Sequence, residues 1–90
     1  MSLKFPAKDP EADLDYQLDW TLWLAGDTIV ASTWTVPAGL TKDSDSYTTT
    51  HTTVWLSGGT AGTAYALLNH ITTAGGRQDE RTVNINVKEK

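Results

Sequence analysis

The 90-residue sequence predicts one small all-β domain, and three observations support this fold class. Large apolar residues occupy every second position from Tyr16 to Leu24, and most positions between them are polar. A period of two is typical of a half-buried β-strand, because a helix would distribute these side chains around its circumference. Similar short runs recur every eight to twelve residues or so, turn-forming residues separate them, and none has the spacing of an amphipathic helix.

The first three predicted strands lie in the N-terminal half. Residues 3–7 form a short edge strand that ends at Lys8-Asp9-Pro10, because proline lacks an N–H and favours extended geometry in the residue before it. Residues 15–24 form the second strand, and Ala25-Gly26-Asp27 forms the turn that follows it. Residues 28–36 form the third strand, which a Pro-Ala-Gly turn ends.

Four further strands are predicted in the second half. Residues 40–44 form a short fourth strand that a polar run interrupts. The threonine-rich residues 47–57 form the fifth strand, since a branched Cβ fits a pleated surface. A glycine-rich corner precedes the sixth strand, residues 64–73. A hairpin tip containing Gly75, Gly76 and Arg77 then leads to the seventh strand, residues 81–87.

Two placements favour a seven-stranded antiparallel immunoglobulin-like β-sandwich over a barrel. Trp34 lies midway along the third strand, where such sandwiches bury a central tryptophan. Tyr65 follows a glycine-rich corner at the start of the sixth strand, where a tyrosine corner hydrogen-bonds to the backbone. Leu67 is expected to fill the space that a disulfide occupies in antibody domains.

Composition limits how so short a chain is stabilised. The absence of cysteine excludes a disulfide and a Cys/His zinc site, so the four tryptophans must supply much of the core. The N-terminal residues lack the apolar segment of a signal peptide, and no apolar run approaches the length of a membrane span. We expect a single domain over residues 1–90 with its core at about residues 8–88. Stability without cysteine is consistent with a reducing compartment.

The net charge of −4 argues against nucleic acid as a partner, because a phosphate backbone requires clustered lysine and arginine. The charge is unevenly distributed, since residues 1–45 hold eight of the eleven acidic residues and three lysines. Such asymmetry can orient two partners through complementary potentials. A solvated acidic face is the simpler interpretation.

No cofactor or metal site is predicted. His51 and His70 are not spaced as metal ligands, and we expect both to be structural or solvated. Asp43 and Asp45 have the spacing of the first two ligands of an EF-hand calcium loop. The glycine and the bidentate glutamate that such a loop requires further along are absent. A looser calcium site that adds the acidic residues 9–15 stays open as an alternative.

Catalysis is not predicted either. No serine lies in a nucleophile motif. A glycosidase would require Asp13 or Asp15 close to Asp79 or Glu80, so that two carboxylates flank the scissile bond. No pattern in the sequence predicts that approach, and we expect a protein that is not an enzyme.

The four tryptophans divide into two pairs. Trp20 and Trp34 are predicted to be core residues. Trp23 lies on the otherwise polar face of the second predicted strand, and Trp55 alternates with Val54 and Leu56. Trp23 and Trp55 therefore cover the edge of the second sheet or anchor a protein interface, where tryptophan is enriched.

Five segments, taken in order, resemble one family of small structural proteins of tailed bacteriophages and prophages, the phage fibre–tail adaptor proteins. The segments are Lys8-Asp9-Pro10, Leu14-Asp15-Tyr16 through Asp19-Trp20, Ser32 through Leu40, Val54 through Tyr65, and Ile71 through Arg77. Each motif alone is ordinary turn chemistry, but the ordered set covers most of residues 8–87. The resemblance implies an immunoglobulin-like domain that acts by assembly and has no family-level catalytic or ligand residues.

The resemblance implies a virion structural or adaptor protein that links tail or baseplate components through sheet edges and corner loops. Expected partners are other phage proteins of the tail, baseplate or fibre, or a second copy of this chain, and neither nucleic acid nor a membrane. We expect it in the host cytoplasm during assembly and in the tail region of the virion. The candidate contact residues are Asp9, Pro10, Trp23, Trp55, Gly75, Gly76 and Arg77. A carbohydrate- or cell-surface-binding module is the alternative function.

Overall fold

The computed structural model describes residues 3–88, which form seven strands and one short helix. The strands are β1 (Leu3–Lys4), β2 (Leu14–Asp19), β3 (Ile29–Thr35), β4 (Leu40–Tyr47), β5 (His51–Gly58), β6 (Ala64–Thr73) and β7 (Gln78–Asn86). The helix α1 (Thr21–Leu24) is a single turn between β2 and β3.

The strands form two sheets that enclose one core. The first sheet has the order β1-β7-β6-β3 and the second has the order β2-β5-β4. Every pairing is antiparallel except that of β1, which runs parallel to β7. The prediction of a seven-stranded immunoglobulin-like β-sandwich is therefore confirmed.

The prediction of one strand over residues 15–24 is wrong at its C-terminal end. The strand ends at Asp19, whose Oδ1 accepts the backbone N–H of Thr21 at 2.9 Å and so starts the helical turn. Ala25 adopts a left-handed conformation that ends the turn. Trp20 and Leu24 are both buried because four residues span about one helical turn, so the apolar spacing fits the helix as well as the strand.

Other strand boundaries also differ from the predictions. β1 stops at Lys4, and β3 is one residue shorter than predicted at each end. β7 begins earlier than predicted, at Gln78, because Gln78 pairs with Thr72 in the hairpin. β4 continues through the polar run to Tyr47, with a bulge between Lys42 and Ser44, and β5 therefore begins only at His51. An edge strand with a solvated face can accept such a polar run. β6 has the predicted bounds.

Sixteen apolar residues form the core between the sheets. They are Phe5, Tyr16, Leu18, Trp20, Leu24, Ile29, Trp34, Leu40, Val54, Leu56, Tyr65, Leu67, Ile71, Val83, Ile85 and Val87. Trp20, Trp34 and Leu67 are buried as predicted. The predicted tyrosine corner is also present, since the Tyr65 hydroxyl accepts the backbone N–H of Thr60 at 2.9 Å.

A buried polar network joins the two sheets around Asn69. Its Oδ1 accepts the Trp20 indole N–H at 3.0 Å and the Thr52 hydroxyl at 2.7 Å. Its Nδ2 donates to the Ser32 hydroxyl and to the Thr33 carbonyl, each at 3.0 Å. Because every polar group of this amide has a partner, the network connects β3, β5, β6 and the residue before α1 without leaving a polar group of Asn69 unpaired.

Candidate functional site

The predicted contact residues lie in three separate places. The tip end (residues 21–27 and 74–77) contains Trp23 and the β6–β7 hairpin. The corner end (residues 8–11 and 58–62) contains Asp9 and Pro10 and lies against the last residues of β7, at the opposite end of that strand from the tip end. The tryptophan face is the outer face of the β2-β5-β4 sheet around Trp55.

At the tip end, Arg77 is bound within the molecule. Its guanidinium carbon lies 4.4 Å from the centroid of the Trp23 ring, a cation–π contact. Its Nε donates to Asp27 Oδ2 at 3.2 Å and its Nη2 donates to the Leu24 carbonyl at 2.7 Å. The interpretation of Trp23 as a strand residue is wrong, because it lies in α1, half-buried and edge-to-face on Trp20.

Asp27 holds the β6–β7 hairpin against α1. Its Oδ1 accepts the backbone N–H groups of Thr28 at 2.8 Å and Gly75 at 3.1 Å. Hydrogen bonds from Thr73, from these two backbone groups and from Arg77 lower the pKa of Asp27 to about 2. A Cβ at Gly75 would lie 2.8 Å from Asp27 Oδ2, so glycine permits the close approach. The tip is therefore a fixed structure and not a free loop.

Leu22 is the most exposed large apolar residue of the described chain, with 96% of its surface accessible. The sequence pattern assigned it to the core, since it has the same parity as Trp20 and Leu24. The helical turn instead directs it away from the sandwich, beside the half-buried Trp23. The leucine therefore contributes nothing to the core, and it forms an apolar projection next to Trp23.

At the corner end, the buried residue Lys8 fixes the N-terminal segment. Its Nζ donates to the carbonyls of Asp9 and Gly58, each at 2.8 Å, and its backbone pairs with Val87. Asp9 Oδ1 accepts the backbone N–H of Glu11 at 2.8 Å. Asp9 and Pro10 are half-buried, and Glu11 is exposed. The corner therefore presents a rigid acidic turn to solvent.

The tryptophan face has one exposed indole at its centre. Trp55 lies on β5, the middle strand of the sheet, and 42% of its surface is accessible. Asp15 of β2 is its cross-strand neighbour on one side and Ser44 of β4 is its neighbour on the other. Because β5 is not an edge strand, Trp55 does not cover a sheet edge.

Two carboxylates approach each other beside this face. Asp43 Oδ1 accepts the hydroxyl of Ser57, which lies two residues beyond Trp55 on the same side of β5. A hydrogen bond to Asp43, together with desolvation and the negative charge of Asp43, raises the pKa of Asp13, and the charge of Lys8 opposes the shift. Within residues 3–88, no ion pair involves Asp13, Asp15 or Asp43.

Each of the two histidines lies beside a carboxylate. His51 lies 3.6 Å from Asp19, and His70 lies 3.1 Å from Glu80 on the outer face of the other sheet. Asp15 lies on β2 of one sheet, whereas Asp79 and Glu80 lie on β7 of the other. In the described part of the chain, no three metal-binding side chains group together and no helix could cross a membrane.

Comparison with known proteins assigns the family. Residues 8–86 match the family model described as Podophage GP4 fiber-tail adaptor protein gp77. This chain belongs to that family. The resemblance inferred from the five sequence segments is therefore confirmed, and all seven candidate contact residues lie within the matched region.

Solved structures show how this fiber-tail adaptor family member relates to other sandwiches. The chain is similar to one reported as the solution structure of the PKD domain from KIAA 1837 protein, with 20% identity and a TM-score of 0.55. The similarity covers 99% of this chain and 79% of the other. It supports the sandwich fold alone. No curated protein matches the chain.

Proposed function

We propose that this protein is a non-catalytic adaptor that joins a fibre to the tail of a phage particle by contacting a different virion protein at each end. The family match carries the proposal. An adaptor must contact two partners at once, and six of the seven candidate contact residues, all except Trp55, lie at opposite ends of an elongated domain with extents of 42 × 25 × 19 Å. Neighbouring virion proteins are therefore its partners, and the tail region is its location.

The tip end suits an apolar contact. Leu22 projects from α1, and the cation–π contact and ion pair of Arg77 fix the surface around it. A rigid contact surface loses little conformational entropy on binding. A partner with an apolar pocket would therefore gain most of the free energy of burying this leucine.

The corner end suits a polar contact. Its backbone is fixed by Lys8, and it presents Asp9, Pro10 and Glu11 at the surface. Fixed carboxylates at a rim steer association and select partners of complementary charge. The two ends thus differ in chemistry, as required of a protein that joins two different partners.

One sheet edge is also suited to strand addition. Among the described strands, β3 pairs only with β6, and it has no charged residue, whereas the edge strands β2 and β4 both do. Charges on edge strands oppose pairing with other chains. Tyr47 and Thr49 bind backbone groups of Val30 and Ile29, and Asn69 binds the Thr33 carbonyl. The other outward-facing backbone groups of residues 31–35 are the part of the edge proposed for a partner strand.

The test uses one charge change at each end of the domain. Leu22→Asp should abolish the contact made by the tip end, and Glu11→Arg should weaken the contact made by the corner end. Thr82→Asp, an exposed position in the middle of β7, is the control. Purified particles are analysed for this protein and for fibres by mass spectrometry. We expect each end variant to lose the adaptor or the fibre, and unchanged particles from both variants would overturn the proposal.

A further inference from the structure

The two arginines of this protein are used in the same way. Arg77 stacks on Trp23 at 4.4 Å while its Nε donates to Asp27. Arg81 stacks on Trp20 at 3.9 Å while its Nη1 donates to the Asp19 carbonyl at 3.0 Å. In both pairs the guanidinium lies over an indole and also donates a hydrogen bond to an oxygen of another residue. The geometry is favourable because a guanidinium combines a stacking face with donors in its plane.

Trp55 has the indole and the acceptors of such an arrangement, but no cation of the described part of the chain lies over its ring. Asp15 is directly across from it on β2, and Asp43 lies beside Ser57 in the next row of the same face. Both arginines of the sequence are already engaged. Lys42 pairs with Asp45 at 2.8 Å, in register with Val54 and Leu56 and so on the opposite side of the sheet from Trp55.

We propose that the tryptophan face binds an arginine side chain of a partner virion protein, whose guanidinium stacks on Trp55 and donates to Asp15 and Asp43. This inference rests on the proposed adaptor function, because that function supplies the partner protein that carries the arginine. It adds a third contact surface, separate from the tip end and the corner end. It also names the side chain that this surface recognises.

The contact between Asp13 and Asp43 favours a cation over a sugar. A hydrogen bond to Asp43, desolvation and the negative charge of Asp43 together raise the pKa of Asp13, and a positive charge placed beside the two carboxylates would offset the repulsive part. A neutral sugar could stack on Trp55 but would leave the two carboxylates repelling each other. Arginine is favoured over lysine, because a planar guanidinium can stack and donate at the same time.

The test is a titration of the isolated, isotope-labelled domain with a short oligoarginine peptide, followed by NMR. The Trp55 indole N–H resonance should shift, whereas those of Trp20 and Trp34 should not. An equivalent oligolysine peptide should bind more weakly. Trp55→Leu should lower the affinity for oligoarginine about tenfold, because it removes the indole ring that makes the cation–π contact. Asp15→Asn should lower it several-fold.

The control is Glu80→Gln, which makes the same change of net charge on the outer face of the other sheet. It should leave the affinity unchanged, which separates a local contact from general attraction to an acidic protein. Equal losses in Asp15→Asn and Glu80→Gln would overturn the inference. A Trp55 shift caused by a neutral polysaccharide but not by oligoarginine would overturn it in favour of a sugar site.

The same variants separate this inference from the proposed function. If the wild-type protein is present in purified particles and Trp55→Leu is incorporated equally well with fibres attached, the arginine contact is wrong and the adaptor function stands. If the wild-type protein is absent from particles, the adaptor function is wrong whatever the peptide titration shows.

Discussion

At the scale of single residues, two core tyrosines differ in whether their hydroxyls have partners. The Tyr16 hydroxyl is buried and has no hydrogen-bond partner among residues 3–88, and burial raises its pKa. The Tyr65 hydroxyl accepts the backbone N–H of Thr60. An unpaired buried hydroxyl bears its full desolvation cost, whereas a paired one stabilises the fold.

Tyr16→Phe should therefore raise the free energy of unfolding by about 1 kcal/mol, since it removes only the unpaired hydroxyl. Tyr65→Phe removes an equally small group but leaves the Thr60 N–H without its acceptor, and Tm should fall by roughly 4–8 °C. Urea and thermal unfolding of both variants measure the difference. Equal destabilisation by the two substitutions would contradict the assignment of the partners.

Two carboxylates should affect stability with opposite signs. The pKa of Asp27 is lowered from its ordinary value of 3.8 to about 2, so the folded form gains stability above pH 3.8 and loses it as the pH falls through 2. The pKa of Asp13 is raised by Asp43, so folding is favoured when Asp13 is protonated and is opposed as the pH rises.

Asp27→Asn should lower Tm at pH 7, and its difference from wild type should disappear near pH 2. Asp13→Asn should raise Tm slightly at pH 7, and this gain should shrink as the pH falls and as salt is added. Melting curves across this pH range for both variants are the measurement. A loss of Tm at neutral pH in Asp13→Asn would show that its carboxylate stabilises the fold.

At the scale of elements, the α1 turn separates two leucines that the sequence pattern treats alike. Leu24 is buried and Leu22 is exposed. Leu24→Asp should destabilise the domain by more than about 3 kcal/mol, since it buries a charge without a partner. Leu22→Asp should change stability by less than about 0.5 kcal/mol. Urea unfolding measures both values, and a large loss in Leu22→Asp would place this leucine in the core.

The accuracy of the sequence prediction varied with the local pattern. β6 was predicted to the residue because its apolar alternation is unbroken and turns bound it on both sides. β2 was extended too far because Trp20 and Leu24 fit both a strand and a helical turn, and only the hydrogen bond of Asp19 to Thr21 separates the two. A local hydrogen bond from a backbone N–H to the side chain two residues earlier is a weak signal in a single sequence.

The same limit applies to the candidate contacts. The alternation of Trp55 with Val54 and Leu56 showed that one of the two sets faces outward but not which one, and the structure buries Val54 and Leu56 and leaves Trp55 exposed. The internal engagement of Arg77 with Asp27, fifty residues away in the chain, could not be predicted, since no local pattern records it. The exposure of Leu22 was missed because the apolar spacing of residues 20–24 fits a strand as well as a helical turn, which also hid the end of β2.

At the scale of the whole molecule, the uneven charge of the sequence corresponds to surfaces of different chemistry. Carboxylates from the N-terminal half lie on the tryptophan face and at the corner end, whereas both arginines stabilise the tip end and the region beside it. The domain therefore has an acidic face, an acidic corner and an apolar projection at the opposite end. Such a domain is suited to joining partners of different character.

The central claim is that this family member joins two different virion proteins through opposite ends of one domain. Cross-linking mass spectrometry of purified particles tests this most directly. We expect the protein in the particle, with cross-links from an exposed carboxylate near the tip end, such as Glu80, to one neighbour and from the exposed Lys88 near the corner end to another. Its absence from particles, or cross-links from both ends to a single neighbour, would contradict the claim.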